Sequence, residues 1–195
     1  MTDGRDGTGR ERILVAAEEL FAEHGFDGTS AARLARAAAV PQGLIFYHFG
    51  TKQNLLLVLV RERSDTALTG LLPDPPPTDR REAVAELWRR LRDQLGTPTR
   101  LHRIVFRELD THPELREHAL QFERDTIERV AGYLAAACAH DGPPAPDHLA
   151  AARLLTVAAS VASITHGDGG HGLDPAVVAD LLTHGLPGPS RTNVS

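Results

Sequence analysis

Apolar residues recur three and four positions apart along most of the chain, and each run is bounded by a polar cap, a glycine or a proline. Ile13, Leu14, Ala17, Leu20 and Phe21 mark a first helix. The capping-box pair Thr8 and Glu11 opens it, and Gly25 stops it as a left-handed cap. Thr29-Ser30 starts a second helix through Ala31 to Ala38; after a short break at Ala39-Val40, Pro41 opens a third. Thr51 caps a fourth, whose run from Leu55 to Val60 is apolar all round. A helix without a polar face is buried, so this one reads as the connection between two domains.

A proline-rich break over 70–79 follows, then a helix with Val84, Leu87, Trp88, Leu91 and Leu95 on one face. Another covers 100–109, and Pro113 opens a long one carrying Leu115, Ala119, Phe122, Val130, Tyr133, Leu134 and Ala137. A Pro/Gly loop over 141–146 leads to a helix of small and aliphatic residues, 149–164. A Gly/His loop and a final helix over 174–186 complete the pattern. The reading is all-α, with about nine helices.

Composition agrees. Ala, Leu and Arg abound, while only 5% of the 195 residues are aromatic, which favours helix over strand. The one cysteine, Cys138, excludes an intrachain disulfide and a multi-thiolate metal site. No apolar run reaches the ~20 residues that span a bilayer, and the polar segment Met1 to Arg12 lacks the apolar core of a secretory signal. These features predict a cytoplasmic protein with no membrane partner. The net charge of −5 argues at first against nucleic acid, but the placement of charge matters more than its sum. Between Asp27 and Glu62 there is no acidic residue, while Arg33, Arg36, Lys52 and Arg61 fall inside that window.

Two short helices joined by a tight turn, on a basic and acid-free stretch, meet the description of a helix-turn-helix. Ala35 and Ala38 are small enough for the helices to cross closely, and Leu34, Val40, Ile45 and Phe49 can fill the core between them. Gly43 costs roughly 1 kcal/mol inside a helix. That cost is understandable where a side chain would collide with DNA in the major groove.

The stretch from Thr29 to Lys52 resembles the N-terminal domain of the tetracycline-repressor (TetR) family. The resemblance rests on Thr29, Leu34-Ala35, Ala38, Val40, Gly43, the cluster Phe46-Tyr47-His48-Phe49, and Lys52 followed by Leu55. The rest of the chain matches only in helix number and length. The resemblance implies a three-helix DNA-binding domain over 8–54, a larger effector-binding and dimerisation domain over 55–188, and disordered tails at 1–7 and 189–195. Gln42, Gly43 and Leu44 are then base-facing, since glutamine can pair with an adenine edge and leucine can touch a thymine methyl. Tyr47, His48 and the helix starts at Thr29-Ser30 and Thr51-Lys52 match positions that hold phosphates, with Arg33 and Phe46 on the same surface. Lys52 is the only lysine among 21 lysines and arginines. Two residues depart from the family pattern: Ala39 stands where the turn usually has glycine, and Phe46 lacks a hydroxyl used by many relatives.

In the same family an effector lies between helices of the second domain. Leu59, Trp88, Leu91, Phe106, Phe122 and Tyr133 are the candidates to line such a pocket, although aromatics at helical spacing are more often plain core. His102, Glu108, His112 and His118 could anchor an effector, but read first as surface residues. The run His166 to His171 invites a metal reading, yet nothing in it fixes ligand geometry, so it is read as a flexible loop without metal. No catalytic set stands at convincing spacing, and no cofactor is expected. The resemblance therefore implies a repressor rather than an enzyme. Its partners are a palindromic double-stranded operator, a small-molecule effector, and a second copy paired through the last two helices. The rivals are a small-molecule-binding protein or enzyme with a vestigial DNA-binding domain, and an effector-independent DNA binder.

Overall fold

The computed structural model describes residues 8–73, 75–95, 99–165 and 173–184. Among these residues it contains nine helices and no strand. They are α1 (Gly9–His24), α2 (Ala31–Ala37), α3 (Gln42–Phe49), α4 (Lys52–Leu68), α5 (Arg80–Leu95), α6 (Arg100–Glu108), α7 (Pro113–Ala137), α8 (Pro146–Thr165) and α9 (Pro175–His184). The expected tails, 1–7 and 189–195, and the loop from His166 to His171 lie outside the described residues. No helix among the described residues is long and apolar enough to cross a membrane.

Local chemistry accounts for most of the boundaries. The Thr8 side chain accepts from the Glu11 N–H and Ser30 from the Arg33 N–H, each at the start of its helix. Thr51 Oγ1 accepts from the Asn54 N–H at 3.0 Å and starts α4. Pro41 precedes α3 as its cap rather than forming its first residue. Gly25 and Gly50 end α1 and α3 at φ of 76° and 70°, a region that a side chain disfavours.

The chain divides into two compact units: Met1–Leu68 with Pro98–Glu123, and Thr69–Thr97 with Arg124–Ser195. In the first unit α1 packs against α2, α3, α4 and α6. One apolar cluster holds it together: Ile13, Leu14 and Phe21 from α1, Leu34 from α2, Ile45 and Phe49 from α3, and Leu55, Leu56 and Leu59 from α4. Ile104 and Leu115 join the same cluster. That is why α6 and the start of α7 belong to this unit by packing, whereas a functional division by sequence placed them beyond residue 54. Ion pairs fasten α1 to α4. Arg63 reaches Glu11 at 2.8 Å and Glu18 at 3.0 Å, and Arg10 hydrogen-bonds Glu62, holding its carboxyl below the usual glutamate range.

In the second unit α5 packs against α8 and α9. Its inner face is Ala83, Val84, Leu87, Trp88, Leu91 and Leu95, the periodic set legible in the sequence. Trp88 Nε1 donates to the Leu173 carbonyl at 2.8 Å, and Arg81 pairs with Asp180. Tyr133 donates its hydroxyl to the Ala83 carbonyl at 3.1 Å, and burial raises its pKa, so it stays a neutral donor.

The turn between α2 and α3 carries measurable strain. Ala39 has φ of 51°, the left-handed conformation anticipated for a position where glycine would be at ease. A non-glycine residue there costs about 1–2 kcal/mol, and the greater freedom of an unfolded glycine offsets part of this, about 0.4–1 kcal/mol. Ala39→Gly therefore stabilises the chain by roughly 0.5–1 kcal/mol. Urea unfolding checks this: the midpoint rises while the m-value is unchanged.

Candidate nucleic-acid interface

The eight residues of α3 sort into two faces. Ile45 and Phe49, four apart, are buried against α1 and α4 and fix the roll of the helix. Everything between them must then face outward. Gln42, Gly43, Phe46, Tyr47 and His48 are exposed, Tyr47 to 82%. A tyrosine this open is unusual, and its ring stands edge-on to the neighbouring His48, centroids 5.1 Å apart. Leu44 is half-buried: a Cβ built at Gly9 would lie 2.8 Å from its Cδ2, so it leans partly on α1.

Gly43 has no internal reason to be glycine. It sits inside a helix, and a Cβ added there meets nothing within 4 Å. Neither backbone strain nor packing selects it.

The other candidates are placed less uniformly. Ser30 is exposed at the start of α2, and Arg36 is exposed near its end. Arg33 lies half-buried, with Nη2 2.5 Å from His24 Nε2, so this ring nitrogen acts as the acceptor. Thr29 departs from expectation. It is 0% exposed, and its hydroxyl donates to the Gly25 carbonyl at 2.8 Å and to the Leu20 carbonyl at 3.2 Å. Its side chain closes the end of α1 and offers nothing to a phosphate.

Lys52 is partly buried at the start of α4. Its Nζ donates to the carbonyls of Phe26 at 2.8 Å and Thr29 at 3.0 Å, and stands 4.1 Å over the Phe26 ring. Two of its three donors are thus occupied within the chain. Sequence reasoning missed this role and missed Phe26, and it did not see the role of Glu108 in the first unit. Glu108, read as surface, is 6% exposed and accepts from the Phe26 N–H at 2.9 Å. Contacts 82 residues apart leave no local signature.

The six effector candidates fall in both units. Leu59 lies in the core of the first unit, while Trp88, Leu91 and Tyr133 lie in the core of the second. Phe106 is 55% exposed and Phe122 is half-buried. Among the described residues no group of three or more His, Cys, Asp or Glu could hold a metal ion.

Because Lys52 fastens two carbonyls with charge-assisted bonds, Lys52→Met should destabilise the protein by about 1.5–3 kcal/mol even without DNA. Guanidinium unfolding measures this. A change below ~0.5 kcal/mol would mean that the lysine is a surface side chain.

Comparison with known proteins agrees with this geometry. Residues 13–59 match the family model of the bacterial regulatory proteins, tetR family. The chain is 38% identical over 95 residues to the HTH-type transcriptional repressor AcnR of Corynebacterium glutamicum. That match covers 43% of this chain, which spans half the length of that relative. Two solved structures share the fold. A transcriptional regulator of Rhodococcus superposes with a TM-score of 0.64 at 21% identity, covering 90% of this chain and 92% of the other. The multidrug binding protein EbrR, complexed with imidazole, superposes with a TM-score of 0.59 at 24% identity, covering 95% and 93%. With its match at residues 13–59, the buried Ile45–Phe49 face and the open face of α3, the N-terminal part of the chain is similar to the bacterial regulatory proteins, tetR family.

Proposed function

We propose that this protein is a transcriptional repressor that inserts α3 into the major groove of a specific DNA duplex. The observation that carries this reading is the outer face of α3. It offers Gln42 and Tyr47 to solvent around a glycine that nothing inside the protein requires. Gln42 and Gly43 meet the base edges, with Leu44 at their border. Ser30, Arg33, Phe46, Tyr47, His48 and Lys52 lie around them as the backbone-facing set. Within this set Lys52 has one donor left for a phosphate, and Thr29 serves from inside. The acid-free window between Asp27 and Glu62 keeps carboxylates out of the contact region.

A dimer sets two such helices on successive major-groove faces, about 34–36 Å or a multiple apart, and so reads a palindrome. Pairing through the last two helices is favoured by a stripe on α8, where Leu154, Val157 and Val161 are 69%, 45% and 46% exposed. On α9, Val177 and Leu181 are exposed in the same manner. Stripes of this length on a soluble chain are ordinarily covered. The proposal extends to a small-molecule effector held by the second domain, 55–188; the multidrug binding protein EbrR, of like fold, is complexed with imidazole. Thr156 supports it: its hydroxyl is buried without a hydrogen-bond partner. An effector that favours one conformation lowers operator affinity by linkage. Such a repressor works in the cytoplasm.

Selection from a random duplex library, followed by titration across a salt series, tests the reading. A palindromic consensus and a steep fall of affinity with salt are expected; affinity that ignores salt and sequence defeats the proposal. Gln42→Ala should alter base preference at one position of each half-site, by about 1–3 kcal/mol in discrimination, while an unchanged consensus would misplace the reading face. Gly43→Ala separates folding from binding. It should raise stability by up to ~1 kcal/mol, because alanine favours helix, yet weaken operator binding at least tenfold. A variant both more stable and equally tight would remove the groove as the reason for Gly43.

A further inference from the structure

Between α1 and α2 the backbone of one residue, Phe26, is held from both sides. Its N–H donates to Glu108 Oε1 at 2.9 Å, and its carbonyl accepts from Lys52 Nζ at 2.8 Å. Its ring is enclosed as well. Lys52 Nζ stands over it at 4.1 Å, the His112 ring meets it edge-on at 4.6 Å, and Phe21 lies 5.7 Å away. Glu108 arrives from α6, a different part of the chain. Its second oxygen has looser neighbours, the Thr111 hydroxyl at 3.4 Å and His112 Nε2 at 3.6 Å.

A carboxylate buried to this degree needs partners, because removing it from water costs several kcal/mol. The Phe26 N–H is its shortest contact. From there the chain to α2 has little slack. The Thr29 N–H donates to the Phe26 carbonyl at 3.2 Å, and the Thr29 hydroxyl is fixed on Gly25 and Leu20. Ser30, the next residue, caps α2. Where Phe26 sits, α2 must follow, and α3 follows α2 through the strained turn at Ala39.

We propose that Glu108 is a positioning residue for DNA binding. By accepting the Phe26 N–H it sets the turn that leads into α2 and so aligns the reading helix, without itself touching DNA. This rests on the DNA-binding reading above and deepens it. Reach and acceptor geometry matter here, not charge. An amide oxygen on a side chain of equal length can do the same, whereas a carboxylate one methylene shorter cannot.

The test uses the full chain and the duplex enriched by the wild-type protein, with Glu108→Gln, Glu108→Asp and Glu108→Leu compared. Glu108→Gln should bind within about twofold of wild type, and Glu108→Asp and Glu108→Leu about tenfold or more weakly. The slope of log affinity against log salt should stay the same in wild type and all three variants, since no phosphate contact is lost. Amide exchange at Phe26 should accelerate in the Glu108→Asp and Glu108→Leu chains only, while the amides of α4 stay protected. Should Glu108→Leu fail to fold, the Glu108→Gln and Glu108→Asp chains decide alone. Four results overturn the inference: wild-type affinity in Glu108→Asp; loss in Glu108→Gln equal to that in Glu108→Asp; a salt slope shallower by about one; or unchanged exchange at Phe26. A wild-type chain that enriches no duplex defeats the DNA reading itself, and this inference falls with it.

Discussion

Helices of seven and eight residues do not persist alone in water, because nucleation outweighs so few hydrogen bonds. The proposed reading head is made of two such helices, α2 and α3. Everything about it depends on burial of their inner residues against longer helices. Leu34 and Ala35 from α2, and Ile45 and Phe49 from α3, enter a core whose bulk comes from α1 and α4. That core sets the outer face by elimination. An eight-residue helix with two residues four apart locked inside can present only the remainder, and the remainder here is exposed Gln42, Gly43, Phe46, Tyr47 and His48 with half-buried Leu44.

Apolar burial decides which face of a helix points inward, but it is non-directional and leaves the connections between helices loosely set. Direction comes from polar contacts with backbone groups. Thr29 ties the end of α1 to the start of α2, Lys52 binds the two carbonyls flanking that link, and Glu108 takes the N–H on its other side. The strain at Ala39 belongs to the same design. A turn residue in the left-handed region persists only where its surroundings over-determine it, and here buried Ala38 and half-buried Val40 flank it.

What could be read from the sequence follows from which forces are local. Helix periodicity and caps act within four residues, so the helices were legible, as were the starts at Thr8, Ser30 and Thr51. The inward set Leu34, Ile45 and Phe49, the buried run of α4 and the inner face of α5 were legible for the same reason. The failures are long-range. Thr29 looks like a helix start, yet its hydroxyl is drawn back to Leu20 and Gly25. Lys52 looks like a free cation until Phe26 and Thr29 are brought beside it, and Glu108 looks like one more acid on a charged helix. Helical spacing also says that a residue such as Leu59 or Trp88 faces inward, not which core it enters: Leu59 enters that of the first unit and Trp88 that of the second.

The acidic net charge is reconciled with the proposed nucleic-acid surface by location rather than by sum. Exposed charges are screened over about 8 Å at physiological ionic strength, so only charges near the contact region govern the approach of a duplex. Much of the acidity of the first unit is engaged along α1 and its neighbours. Glu11 and Glu18 are on Arg63, Glu62 on Arg10, and Glu19 on Arg100. None of these side chains belongs to α2 or α3. Those two helices and the turn between them contain no carboxylate at all, while Arg33 and Arg36 remain among them. A helix-turn-helix of this composition needs no excess of basic residues elsewhere, because each neighbouring acid already paired is one fewer carboxylate left to repel a phosphate.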